Sequence, residues 1–134
     1  MKKIIIILVV VFLSFGGYFA KKYINEQNEK EVFYTAQNKL FYIENQEIKE
    51  ITKIEKQINL LDNVGVENFH PKNNNEKKRN YMNKLQKTIS KYTDKKYKIL
   101  DSFGSKLNAT HSNELLNFII KSTNQSQKIF HRNM

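Results

Sequence analysis

Residues 26–62 contain neither glycine nor proline, and their apolar side chains recur with the period of a helix. The apolar residues form two runs, each with spacings of three, four and three: Phe33, Ala36, Leu40, Ile43, and then Ile51, Ile54, Ile58, Leu61. Residues three and four apart lie on one face of an α-helix. The pattern therefore predicts a long amphipathic helix over about 26–62.

The two runs do not belong to one regular heptad repeat. After Ile43 the next position of the apolar seam is Glu47, and the second run begins at Ile51, one residue later than a perfect repeat requires. Such an offset disturbs a supercoil locally. We therefore expect this helix to pack against other helices of the same chain rather than in a long regular coiled coil.

Two further helices are predicted, at about 76–100 and 113–130. The segment 65–75 contains the only proline and reads as a loop, and Gly104 suits the end of the second helix. Ser112 is the expected N-cap of the third helix, and the polar stretch 121–128 weakens that prediction. The seam of the second helix is apolar except for one lysine: Met82, Leu85, Ile89, Tyr92, Lys96, Ile99 and Phe103.

Composition agrees with an all-α fold of one domain. The chain of 134 residues has four glycines and no cysteine, so it lacks the turn residues of a β-sandwich and cannot form disulfides or zinc–thiolate sites. We predict an N-terminal membrane-spanning or signal helix within residues 1–24. An antiparallel three-helix bundle follows in residues 25–134, since short connections favour antiparallel neighbours.

The N-terminal segment admits two interpretations. Residues 4–20 carry no charge and would form a helix of roughly 25 Å, just short of the ~30 Å hydrocarbon core. A signal peptide cleaved after Gly16 or Ala20 would release the remaining chain. A retained signal-anchor is favoured because Tyr18, Lys21 and Lys22 suit the membrane interface.

A retained anchor would make the protein single-pass, with its C-terminal domain outside the cytoplasm. A very short N-terminal tail usually stays on the cytoplasmic side. Gly16 and Ala20 form a small-xxx-small pair, which allows homo-oligomerisation in the membrane. Cleavage would instead give a periplasmic or secreted protein.

Charge is segregated between the first two helices. Residues 25–62 carry eight acidic and five basic residues, whereas residues 76–100 carry nine basic and two acidic ones. A basic helix of this kind favours an anionic surface or an acidic protein as partner. The candidate partner-binding residues are Lys77, Lys78, Arg79, Lys84, Lys87, Lys91, Lys95 and Lys98.

No pattern of catalytic or metal-binding residues is found, so we predict no enzyme activity, metal or cofactor. His70, His111 and His131 lack the spacing of metal ligands and are expected in loops or at the chain end. The glutamates of the first helix are explained by i,i+4 pairs with lysines on the same surface: Glu44, Glu47, Glu50 and Glu55. Aromatic residues between the lysines suggest nucleic-acid binding, but core packing explains Tyr81 and Tyr92 better.

Together these features predict a membrane-anchored helical interaction protein of a bacterial-type cell envelope. Its basic helix would bind anionic lipid, cell-wall polymer or an acidic protein. The alternative is a cleaved, secreted or periplasmic binding protein, such as an inhibitor or immunity-type protein.

Overall fold

The computed structural model describes the backbone of residues 2–62 and 71–134, and the side chains of residues 25–61 and 75–134. The described chain forms three packed α-helices: α1 (Lys2–Asp62), α2 (Pro71–Gly104) and α3 (Ala109–Arg132). The all-α fold and the three-helix bundle are therefore confirmed. The helix predicted from about residue 26 is the C-terminal part of α1, which has no break there.

Two apolar clusters define how the helices run. The first apolar cluster contains Phe33, Ala36, Leu40, Leu115 and Ile119, with Phe103 of α2 packed against it. The second apolar cluster contains Ile51, Ile54, Ile58, Leu85 and Ile89, with Phe130 of α3 packed against it. The start of α3 thus lies beside residues 33–40 of α1, and the end of α2 lies there too. Consequently α2 runs antiparallel to α1 and α3, which are parallel to each other.

The seam of α1 follows the period of a straight helix. Phe33 and Ile51 are both buried, and the 18 residues between them make five complete turns at 3.6 residues per turn. Glu47, at the step between the two runs, is also completely buried. The offset in the heptad pattern therefore marks a straight helix inside a bundle and not an interruption of the buried face.

The segments that connect the helices differ from prediction in where the neighbouring helices begin or end. Helix α2 begins at Pro71, so residues 71–75 are helical and not part of a loop, since proline suits the first turn of a helix. Residues 63–70 lie outside the described chain. Gly104 is the last residue of α2, but no described glycine has a positive φ. Gly104 therefore ends the helix as expected, although not in the left-handed conformation that glycine caps often adopt.

Helix α3 begins four residues before its predicted start. Its N-cap is Asn108, whose side chain accepts a hydrogen bond from the His111 backbone N–H at 2.7 Å. Ser112, the predicted cap, lies within the helix. Residues 121–128 are fully helical, and the polar Ser122 and Ser126 among them are buried.

Across the residues whose side chains are described, no stretch of helix combines the length and apolar character needed to cross a bilayer. The predicted span at residues 4–20 and both predicted cleavage positions lie outside those residues. The membrane or signal function of residues 1–24 therefore stays a prediction.

Candidate functional site

A layer of polar side chains crosses the bundle between the two apolar clusters. It consists of two glutamates from α1, one lysine from α2 and two serines from α3: Glu44, Glu47, Lys96, Ser122 and Ser126. We call these residues the polar layer. Lys96 and Glu47 have no exposed side-chain surface, and Glu44 is 17% exposed. Charged side chains are almost never fully buried unless they are paired, so the contacts of these residues need to be accounted for.

The hydrogen bonds of the layer satisfy its buried charges. Lys96 Nζ donates to Glu47 Oε2 at 2.6 Å, and also to Glu44 Oε2 and to Ser122 Oγ. Ser122 Oγ donates to Glu44 Oε2, and Ser126 Oγ donates to Glu47 Oε1. An ammonium group has three donors, and Lys96 uses all of them within the protein.

This arrangement limits what the layer can do chemically. A serine beside a lysine can act as a nucleophile when the amine accepts the hydroxyl proton. Here the Lys96 amine is a donor to Ser122 and to two carboxylates, so its lone pair is not available to the hydroxyl. The geometry is that of a buried ion network that links all three helices.

The glutamates of α1 were predicted to pair with lysines along their own helix, and this is wrong. Glu44 and Glu47 bind Lys96 of α2, while Glu50 accepts a hydrogen bond from the Tyr92 hydroxyl at 2.8 Å. Glu55 accepts two hydrogen bonds from Arg132 Nη2 of α3, at 2.7 and 2.8 Å. Each contact crosses to another helix because these carboxylates lie on or beside the buried face of α1.

The contacts beside the layer shift two pKa values. Burial, together with the hydrogen bond to Glu50, raises the pKa of the Tyr92 phenol from 10.0 to about 12. The hydrogen bond from Arg132 lowers the pKa of Glu55. Tyr92 is 3% exposed, so its prediction as a core residue is confirmed.

The predicted partner-binding lysines occupy mainly one exposed face of α2. Six of them fall within about 80° of arc at 100° per residue: Lys77, Lys84, Lys87, Lys91, Lys95 and Lys98. All six are exposed, and we call them the basic stripe. The stripe is about 32 Å long at 1.5 Å per residue. Of the other two candidates, Lys78 is half-buried, and Arg79 is exposed but about 80° of arc or more from the stripe.

The positive charge of the basic stripe is largely uncompensated. Among the described residues, Lys91 is the only stripe lysine within ion-pair distance of a carboxylate, at 3.7 Å from Glu50. Lys91 and Lys95 lie over the ring of Tyr92, with Nζ 5.0 and 5.2 Å from its centroid. Both distances are in the range of cation–π contacts.

Of the three histidines expected in loops or at the chain end, His111 differs from expectation. It lies in α3, half-buried, with its ring stacked on Phe33 at a centroid distance of 4.1 Å. Its Nδ1 lies 2.6 Å from Glu29 Oε1. Burial opposes ionisation of Glu29, but hydrogen bonds from His111 and from the Asn108 backbone outweigh it and lower the Glu29 pKa. His131 is exposed, and His70 lies outside the described chain.

In the part of the chain that the structure describes, no three His, Asp or Glu side chains are grouped as metal ligands. The sequence indicated two members of the polar layer, Glu47 and Lys96, because each occupies a seam position. It gave no signal for Ser122 and Ser126 beyond their four-residue spacing. The chain matches no protein-family model, no curated protein and no solved structure.

Proposed function

We propose that this protein is a tethered helical interaction protein of a bacterial-type cell envelope, which binds an anionic surface through the basic stripe. The observation that carries the proposal is the stripe itself: six exposed lysines on one face of α2, only one of them paired with a carboxylate among the described residues. The shared chemistry of its ligands is a series of closely spaced anionic groups. Lipid headgroups and linear envelope polymers both have this chemistry.

The bundle presents the stripe as a rigid element. Tyr92 lies beneath Lys91 and Lys95 of the stripe. It donates a hydrogen bond to Glu50 of α1, and the next turn places Lys96 in the polar layer. These contacts fix α2 against α1, and the helical backbone holds the lysines at a regular spacing. Preorganised charges bind more strongly than the same charges on a flexible tail, because less entropy is lost on binding.

The tether is the second part of the proposal and depends on residues 4–20. Their uncharged apolar sequence supports a signal-anchor. Membrane fractionation and intact-mass measurement of the expressed chain test it. Soluble protein that lacks residues 1–16 or 1–20 would refute the tether and support the alternative, a cleaved secreted or periplasmic binding protein.

The test of the stripe uses the full chain in zwitterionic nanodiscs. The probes are linear polyphosphate and, separately, vesicles with or without phosphatidylglycerol, at several salt concentrations. The variant is Lys84→Gln/Lys87→Gln/Lys91→Gln/Lys95→Gln. Each lysine near an anionic surface contributes about 1 kcal/mol, so we expect affinity to fall by at least about tenfold and its salt dependence to weaken.

The matched control removes four exposed lysines from outside the stripe: Lys49→Gln/Lys53→Gln/Lys56→Gln/Lys106→Gln. It changes the net charge by the same amount and should lose much less affinity. Equal losses in both variants would show that net charge alone acts, and the proposal would be wrong. The two probes distinguish a polymer ligand from a lipid surface, and binding of neither would point to an acidic protein partner.

A further inference from the structure

A groove between α1 and α3 is lined by apolar side chains of both helices, among them Ile48, Phe118 and Ile129, and by no lysine of the basic stripe. Exposed apolar residues continue from Ile48 along α1, beyond the groove. On α1, Tyr34, Phe41 and Ile48 are 58%, 44% and 51% exposed. Successive residues of this set are seven positions apart, which is about two helical turns, and they therefore form a line along one side of α1. Large apolar side chains that are aligned and exposed mark interaction surfaces more often than the same number scattered singly.

The opposite wall of the groove is basic. Lys121, Lys128 and Arg132 of α3 are exposed and line the groove together with Gln125. Arg132 is bound to Glu55. Within the described chain, neither Lys121 nor Lys128 has a carboxylate at ion-pair distance. The α1 wall thus presents the exposed apolar Ile48, and the α3 wall carries two cations without carboxylate partners in the described chain.

The polar layer accounts for the depth of the groove. Two depressions adjoin, and Glu44 lines both. Ser126 forms part of the first and Ser122 part of the second, and Ile48, Ile129 and Phe118 supply apolar surface beside them. Serine is small, so the two serines leave space between α1 and α3 where larger core residues would fill it.

We propose that this groove binds an amphipathic helix of a partner protein, one with an apolar face and an acidic flank. The α3 side of the groove, from Phe118 to Arg132, is about 21 Å long, which suits about four turns of a helix docked between two parallel helices. Apolar anchors at helical spacing are the usual mode of helix-in-groove recognition. The acidic flank is required by Lys121 and Lys128.

Charge complementarity argues against a second copy of this chain as the occupant. The exposed side of α1 that could enter the groove carries Lys49, Lys53 and Lys56. These would meet the lysines of α3, and like charges across an interface disfavour the pairing. The partner we infer is therefore another protein.

The test uses the full chain in nanodiscs with the four stripe lysines already replaced by glutamine, so that an acidic probe cannot bind there. The probe is an 18-residue designed helix with leucines on one face and glutamates beside them, labelled for fluorescence anisotropy. Binding is expected, and Ile48→Glu should weaken it at least about tenfold. The control is Ile120→Gln, at an exposed isoleucine of α3 that lines neither depression. It should leave binding unchanged.

A charge exchange identifies the basic wall. The variant Lys121→Glu/Lys128→Glu should no longer bind the glutamate probe. It should instead bind a probe of the same design with lysines in place of the glutamates. Circular dichroism of each variant confirms that the bundle is folded. Failure of the unmodified groove to bind the glutamate probe, equal binding by the Ile48 variant, or self-association blocked by Ile48→Glu would each overturn the proposal. None of these outcomes bears on polyphosphate or vesicle binding by the basic stripe.

Discussion

Replacement of Lys96 by methionine tests the polar layer most directly. Methionine has nearly the same length as lysine, so packing is conserved while the charge and its three hydrogen bonds are lost. Glu47 would remain with no exposed surface and without its ammonium partner. Removal of one member of a buried ion pair typically costs about 3–5 kcal/mol, because the remaining charge is buried without compensation.

The loss of stability should appear as a lower midpoint of urea unfolding. Unfolding of the full chain in detergent micelles is monitored by far-ultraviolet circular dichroism. The control is Lys98→Met on the same helix, where the lysine is exposed. Substitutions of that kind usually change stability by no more than about 0.5 kcal/mol. The difference in stability between Lys96→Met and Lys98→Met thus measures the effect of burial and pairing, because both variants lose one lysine.

The single variant Glu47→Leu and the double variant Glu47→Leu/Lys96→Met complete the cycle. Apolar replacement of both partners of a buried pair is often neutral or stabilising by about 1–4 kcal/mol. We therefore expect the double variant to be more stable than Lys96→Met alone, although Ser126 loses its acceptor. A cost for Lys96→Met no larger than that for Lys98→Met, or strictly additive effects, would refute our account of the layer.

Three further predictions follow from the bundle. Leu40→Ala should lower stability by about 2–5 kcal/mol because it opens a cavity in the first apolar cluster, whereas exposed Leu60→Ala should change it by no more than about 0.5 kcal/mol; urea unfolding measures both. Asn108→Ala should cost about 1 kcal/mol through loss of the α3 N-cap, and a cost near zero would refute that cap. The pKa values of Glu29 and Glu55 are lowered by folding, so their stabilisation is complete above the ordinary value of 4.5 and is lost as pH falls through the lowered values. Glu29→Gln/Glu55→Gln should therefore be less stable than the unchanged chain at pH 7, and unfolding midpoints that differ equally at pH 7 and about pH 2 would contradict this.

Much of the helical architecture could be predicted because helix periodicity is local. The seam residues from Phe33 to Ile58 are buried as their spacing predicts, except that Ile43 is half-buried. The ends of the helices were less predictable. Pro71 begins α2 five residues before the predicted start, and Asn108 caps α3 four residues before Ser112. Several residues near each end can serve as caps, and the choice depends on contacts with other helices, as between the Asn108 backbone N–H and Glu29.

The candidate sites, like the helices, could be predicted from the sequence only in part. The sequence alone placed the lysines of α2 at spacings that form one stripe, and it placed Glu47 and Lys96 on apolar seams. It did not pair them, and it did not find the two serines that complete the polar layer. Their positions depend on how far each helix slides along its neighbours, which is fixed by packing of both apolar clusters.

The inward-facing residues of each helix can therefore be read from the spacing of apolar residues, because a helix repeats every 3.6 residues whatever surrounds it. Which of these inward residues meet depends on how the helices pack against one another. Lys96 is 49 residues from Glu47 and 26 from Ser122 along the chain, and no local rule relates positions so far apart. The same packing leaves the basic stripe on one face of the bundle and opens the apolar groove on another.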